Sequence, residues 1–149
     1  MLVRVLLRGA AVAALSLVAA ALPAAAQETG LRVIVHAVNP ISAVPRGELA
    51  DIFLKKVAAW TNGQPVVPVD QTEDTEVRKV FCKRVLGRDV PSVKGYWQQA
   101  IFAGKKFPPL EKANDAEVAA FVAANPNAIG YVSALAFLPA TVKVVRVEE

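Results

Sequence analysis

From Leu31 onward, short runs rich in β-branched residues alternate with stretches in which apolar side chains return at every third or fourth position. A strand sends alternate side chains to opposite faces and a helix gathers its apolar residues on one stripe, so the two patterns cannot exchange places. Leu31-Arg32-Val33-Ile34-Val35 predicts a first core strand, followed by the turn-rich Asn39-Pro40-Ile41-Ser42. Leu49, Ile52, Phe53 and Val57 then recur at helical spacing with Glu48, Asp51, Lys55 and Lys56 between them, and Pro45 suits the first turn of that helix. Asn62-Gly63 marks a turn. Pro65-Val66-Val67-Pro68-Val69 reads as a strand whose internal proline confines it to an edge or a strand end.

A second helix is predicted from about Asp74, with Val77, Val80, Phe81 and Val85 as its buried stripe and Gly87 as the glycine after its end. A third opens at Pro91 or Ser92, carries Val93, Trp97, Ala100 and Ile101 on one face, and stops before Gly104. Asn114 with Glu117 forms a capping-box pattern for a fourth helix, whose stripe is Val118, Phe121 and Val122 and which Asn125-Pro126 ends. Segments 128–132 and 142–147 are the last strands. The order β-α-β-α-α-α-β-β predicts an α/β layer architecture with a mostly parallel sheet flanked by helices. Ligands of such sheets collect beyond the carboxyl ends of strands and near helix N-termini, which singles out loops 37–45, 70–76 and 125–131.

The first 26 residues obey a different rule. Arg4 and Arg8 precede an apolar stretch from Ala10 to Leu22, and Ala24-Ala25-Ala26 offers small side chains before Gln27, with no acidic residue in the whole segment. This is the pattern of a secretory signal peptide, and its apolar stretch is shorter than the roughly 20 residues that span a bilayer. The expected organisation is a signal peptide over 1–26 and one domain over 27–149. The chain carries 17 Lys+Arg against 13 Asp+Glu, and removing Arg4 and Arg8 leaves it nearly balanced. With no basic stripe interleaved with aromatics, nucleic-acid binding is excluded as an expectation. Cys82 is the single cysteine, so no disulfide forms within the chain and no cysteine follows the cleavage site to carry a lipid. These features together predict a freely diffusing periplasmic protein with no stable membrane insertion after cleavage.

Catalytic patterns are thin. His36 is the only imidazole, and a hydrolytic role would need Asp70 or Ser42 to meet it in space. No G-x-S-x-G surrounds Ser42, Ser92 or Ser133, and Cys82, on the flank of an apolar stripe, reads as a packed thiol. The expectation is a protein that is not an enzyme and needs no cofactor or metal. The acidic run Asp70 to Glu76 lacks the spacing and turn glycine of a calcium loop, and its carboxylates suit the first turn of a helix. Arg78 follows within that helix, beside the hydroxyls of Thr72 and Thr75, and a helix start with hydroxyls and a guanidinium can donate to an oxyanion. Lys79, Lys83, Arg84 and Arg88 read as a solvated face.

Nine segments in order carry a family resemblance: Val33-Ile34-Val35, Asn39-Pro40-Ile41-Ser42, Glu48-Leu49-x-x-Ile52-Phe53-Leu54, Val67-Pro68-Val69-Asp70-Gln71, Val77-Arg78-x-x-Phe81, Val85-Leu86-Gly87, Tyr96-Trp97, Ile101-Phe102-x-Gly104 and Ala128-Ile129-Gly130-Tyr131-Val132. Together, over residues 31–147, they resemble the short phosphate ABC-transporter substrate-binding-like proteins of the periplasmic-binding-protein superfamily. The resemblance implies a single lobe of a fold whose full-length members close two α/β lobes over phosphate. It implies phosphate or a similar oxyanion as ligand, bound weakly by one lobe, and an ABC permease or a membrane sensor as partner. Arg78 is the position that matches the arginine of the family's G-S-G-T-R loop, while Glu73, Asp74, Thr75, Glu76 and Val77 stand where its glycines and serine would be. Ser42, Thr72, Thr75 and Arg78 are the ligand contacts this implies. The rival expectation is a protein-interaction module that kept the fold and lost the anion pocket, favoured by the acidic segment 70–76.

Overall fold

Along the first strand Val33 and Val35 face one way and Ile34 the other, and all three are buried, so the sheet they belong to is covered on both faces. The computed structural model describes residues 30–149, and the expected signal peptide lies outside that range. The chain runs β1 (Leu31–His36), β2 (Ala43–Pro45), α1 (Arg46–Phe53), β3 (Val67–Gln71) and α2 (Glu76–Phe81), which continues as a π-helical turn through Cys82–Leu86. It goes on through α3 (Val90–Phe102), β4 (Leu110–Lys112), α4 (Asp115–Ala124), β5 (Ala128–Ser133) and β6 (Val142–Glu148). The six strands lie in the order β2-β6-β1-β5-β3-β4. β2 with β6, β3 with β5 and β3 with β4 are parallel, and β1 is antiparallel to both its neighbours. The α/β architecture with a mostly parallel sheet is therefore present.

Two cores sandwich the sheet. On one face Val33, Val35, Ile129, Tyr131 and Val145 pack with Leu49, Ile52 and Phe53 of α1 and with Val77 and Phe81 of α2. On the other, Ile34, Val69, Ala128 and Val132 meet Val118 and Val122 of α4. Phe81 stacks on Tyr131 with centroids 3.9 Å apart and planes 4° from parallel, which fixes α2 against the middle of the sheet. Cys82 is fully buried and joins Val93, Trp97 and Ala100 in a third cluster that attaches α3 to the π turn.

Several boundaries differ from the sequence expectation. The third helix starts at Val90 because Asp89, whose carboxylate accepts from the Ser92 N–H at 2.8 Å, is its cap. The second helix starts at Glu76, after the Thr75 cap. Its π turn rotates the side chains that follow, so Cys82 is buried while Val85 is only partly so, and Val80, ahead of the turn, is also only partly buried. Pro68 lies within β3, between two partner strands, but the ladder to β4 begins only at Val69, so the proline stands at a strand end on that side. Among the described residues no helix is long and apolar enough to cross a membrane.

Candidate functional site

Asp70 projects from β3 onto the α2 face, because Val69 faces α4 and successive strand residues alternate. Glu111 is its direct neighbour in register on β4. Two carboxylates thus point the same way from adjacent strands, and Arg78 of α2 lies over them. Arg78 is only 5% exposed. Its Nη1 bridges to Asp70 Oδ2, donates to the Gln71 carbonyl at 3.0 Å and comes within 4.0 Å of Glu111 Oε1, while its Nε has no partner. The Asp70 carboxylate also accepts from the Tyr131 hydroxyl and from the Gln71 N–H at 2.9 Å.

Charge and burial compete here. Burial raises the Asp70 pKa above the usual carboxylate value, and Arg78, Tyr131 and the Gln71 N–H pull against it. For Arg78 burial works against the charge, but the Asp70 carboxylate outweighs it and keeps the guanidinium protonated. Glu111 is pushed up by burial and by its like-charged neighbours Asp70 and Glu73, against the attraction of Arg78 and Lys94.

Beside Arg78 opens a cleft of about 530 Å³ at the carboxyl end of β3, bordered by Glu111 of β4 and by Pro108 ahead of that strand. Its charged lining is Arg78 and Lys94 against Glu73, Asp74 and Glu111, with Thr72 and Gln98 as neutral polar groups. Trp97, Ile101 and Pro108 supply an apolar wall. Lys94 donates to Glu73 at 3.0 Å. Such a cleft can hold a small molecule by charge at one end and by contact with the indole at the other.

The four residues expected to bind an anion do not all meet. Thr72 and Arg78 share the cleft. Thr75 is the cap of α2: its hydroxyl accepts from the Arg78 N–H at 3.3 Å and donates to the Thr72 carbonyl at 3.1 Å, and its side chain lines a separate groove beside Asp115 and Ser133. The start of α2 is therefore already occupied by its own cap and by Glu76, rather than open to a ligand. Ser42 lies outside the cleft altogether. It precedes β2 and lines another cavity with Arg84 and Val145, four strand positions from β3, or about 19 Å at the usual strand spacing.

His36 ends β1, where its Nδ1 accepts from the Val38 N–H at 3.1 Å. Val35 and Pro68 both pair with Ile129, so His36 sits level with the amino end of β3, away from Asp70 at its carboxyl end, and no His36-Asp70-Ser42 arrangement forms. Among the described residues no three His, Cys, Asp or Glu side chains converge as a metal-holding group. Sequence reasoning missed Asp70, Glu111 and Lys94 as neighbours of Arg78. Helical periodicity placed Trp97 in the core, where it is, but not at the cleft wall, where it also is.

The arrangement is an α/β lobe with a cleft at the carboxyl end of β3. Solved structures with this fold include a phosphate ABC transporter substrate-binding protein from Clostridium perfringens with bound phosphate (TM-score 0.64, 22% identity, covering 79% of this chain and 44% of that one). An ABC-type phosphate transport receptor from Vibrio cholerae (0.62, 18%, 80% and 47%) and PstS from Borrelia burgdorferi (0.61, 13%, 80% and 47%) share it as well. The chain spans less than half the length of these structures. The sequence matches no protein-family model and no curated protein.

Proposed function

We propose that this chain is a secreted, periplasmic solute-binding-type lobe, its residues 1–26 removed on export and residues 27–149 forming the domain. Its cleft at Arg78 takes phosphate or a similar oxyanion weakly, for uptake or sensing, with an ABC permease or a membrane sensor as partner. The role is binding rather than catalysis. One observation carries the reading: a buried guanidinium lines a 530 Å³ cleft in a fold shared with a phosphate-bound protein. Thr72 and Lys94 are the further contacts. Thr75 acts through the α2 cap, and Ser42, at the far sheet edge, takes no part.

Weakness follows from the same geometry. Each carboxylate about 4 Å from a bound anion opposes it by about 1 kcal/mol in water and about 4 kcal/mol at an effective dielectric of 20. Millimolar affinity amounts to about −4 kcal/mol, so two or three such neighbours consume most of what Arg78 and Lys94 supply. The test is thermal unfolding with phosphate and sulfate, where a ligand at about 100 times its dissociation constant adds about 2.7 kcal/mol. Wild type shifts and Lys94→Ala shifts less. A wild type that ignores every oxyanion overturns the proposal.

The second reading, an interaction module without an anion site, has its own observation. Arg78 already holds Asp70 and the Gln71 carbonyl, and three carboxylates line the cleft. It predicts no oxyanion shift at all.

A further inference from the structure

Where α3 ends, two aromatic rings stand clear of the fold. Phe102 is 96% exposed and Phe107 70%, with Lys105 and Lys106 between them in sequence. At the helical repeat Phe102 points away from Val93, Trp97 and Ala100, the buried face of α3, so its ring has almost no support from its own chain. The loop that carries these side chains is held at both ends. Gly104, at φ 64°, turns the chain out of α3 while the Lys105 N–H donates to the Ala100 carbonyl at 3.0 Å, and Pro109 is buried where the loop enters β4.

Charge sets this loop apart from other exposed apolar surface. No acid occurs from Val90 to Leu110. Lys106 and Arg88 lie 5.2 and 5.4 Å from the centre of the Tyr96 ring, and the Leu54 carbonyl accepts from both Lys106 and the Tyr96 hydroxyl at 3.0 Å. Tyr96 thus gathers Arg88, Lys106 and the end of α1, followed by Lys55 and Lys56, at one corner. The acids alongside are Asp51, paired with Lys56 at 3.4 Å, and Asp89, spent on the α3 cap. The carboxylates of the cleft lie on the other flank of α3, with Lys94, Trp97 and Ile101. Leu135 and Phe137 are as exposed as the two rings, but their loop, 134–140, has no cation.

Independently of any ligand in the cleft, we propose that loop 102–107 is a peripheral docking site for a bilayer surface with anionic headgroups. The two rings enter the boundary between headgroups and acyl chains, while Lys105 and the cations of the Tyr96 corner stay with the phosphates. A bilayer offers apolar depth and negative charge side by side without a pocket of matching shape, which suits rings that project freely. Contact through two rings and a few cations is reversible and crosses nothing.

The test is flotation of the exported form, residues 27–149, which holds every element of the fold, with vesicles of phosphatidylcholine alone and of phosphatidylcholine and phosphatidylglycerol in equal parts. The mixed vesicles are expected to bind at least about tenfold more tightly and to release the chain as salt rises. Phe102→Ser with Phe107→Ser should weaken that binding about tenfold or more, and Lys105→Glu about fivefold or more, each with the wild-type unfolding transition because the side chains are exposed. Leu135→Ser with Phe137→Ser should bind as wild type does. Equal binding to both vesicles, loop variants that float like wild type, or an equal loss from the Leu135 and Phe137 changes each overturns the proposal. No flotation at all overturns it in favour of a protein partner, a second copy where wild type but not the phenylalanine variant self-associates in sedimentation.

Discussion

Arg78 has three donor nitrogens, and the fold spends one of them twice, on Asp70 and on the Gln71 carbonyl, while leaving Nε without a partner. Both side chains of the pair are about 6% exposed, so their charges depend on each other rather than on water. Removing one partner of a buried pair strands the other, at a cost of about 3–5 kcal/mol, whereas replacing both by apolar residues of similar volume is often nearly neutral. Asp70→Asn should therefore lower the unfolding free energy by about 3 kcal/mol or more. The double substitution Asp70→Leu with Arg78→Met should cost less than that single change. Denaturant titration of the three variants checks both points, and a double variant worse than Asp70→Asn would show that the charges stabilise the fold beyond their mutual compensation. None of this pairing was legible in the sequence. Asp70 and Arg78 share no helical or strand period, and the third member, Tyr131, reaches Asp70 from 61 residues away.

Elements were legible where their signal is local and hidden where it comes from a partner. The stripe of Leu49, Ile52 and Phe53, the Asn114 cap accepting from Glu117 N–H at 2.9 Å, and Gly87 at φ 64° all stand where periodicity and capping rules put them. The three-residue strands β2 and β4 were not, because each exists only by pairing with β6 or β3. A single glycine shows how tightly the layers then fit. A Cβ on Gly130 would stand 2.7 Å from Cγ1 of both Val69 and Val118, so α4 can lie on the sheet only where β5 has no side chain. Both neighbours are β-branched and cannot swing aside. Gly130→Ala should cost about 1–3 kcal/mol by overpacking, and adding Val118→Ala should restore part of it, so the double variant is more stable than the two single costs predict. Strict additivity in a thermal-denaturation cycle would contradict this account. The opposite expectation holds at the end of α1, where Lys55 adopts φ 52°. Lys55→Gly should raise stability by up to about 1 kcal/mol, read as an upward shift of the denaturation midpoint.

At the scale of the whole molecule, carboxylates on the two faces of the sheet near the carboxyl end of β3 titrate in opposite senses, and the pH profile of stability can separate them. Burial works against the Asp115 carboxylate, but the Ser133 hydroxyl, the Gln71 amide at 2.8 Å and the Ser133 N–H at 3.0 Å outweigh it and hold its pKa below the usual value. A group depressed in the folded state contributes stability above its unfolded pKa and loses it as pH falls through the folded one, so Asp115 supports the fold at neutral pH and fails in acid. Asp115→Asn should therefore destabilise at pH 7 and flatten the decline below about pH 4. Glu111 runs the other way. Its pKa is raised in the folded state, chiefly by burial, so ionising it costs the fold something that the unfolded chain does not feel. That cost is absent below the unfolded pKa, where the group is protonated in both states, and present above the folded one. Glu111→Gln should accordingly be more stable than wild type at pH 7, with the two curves converging below about pH 4. A residue whose removal stabilised the fold at working pH would be retained for something other than stability. Denaturant unfolding across the acid range decides the matter: a Glu111→Gln curve that runs parallel to wild type, or lies below it at neutral pH, would make this carboxylate an ordinary solvated side chain.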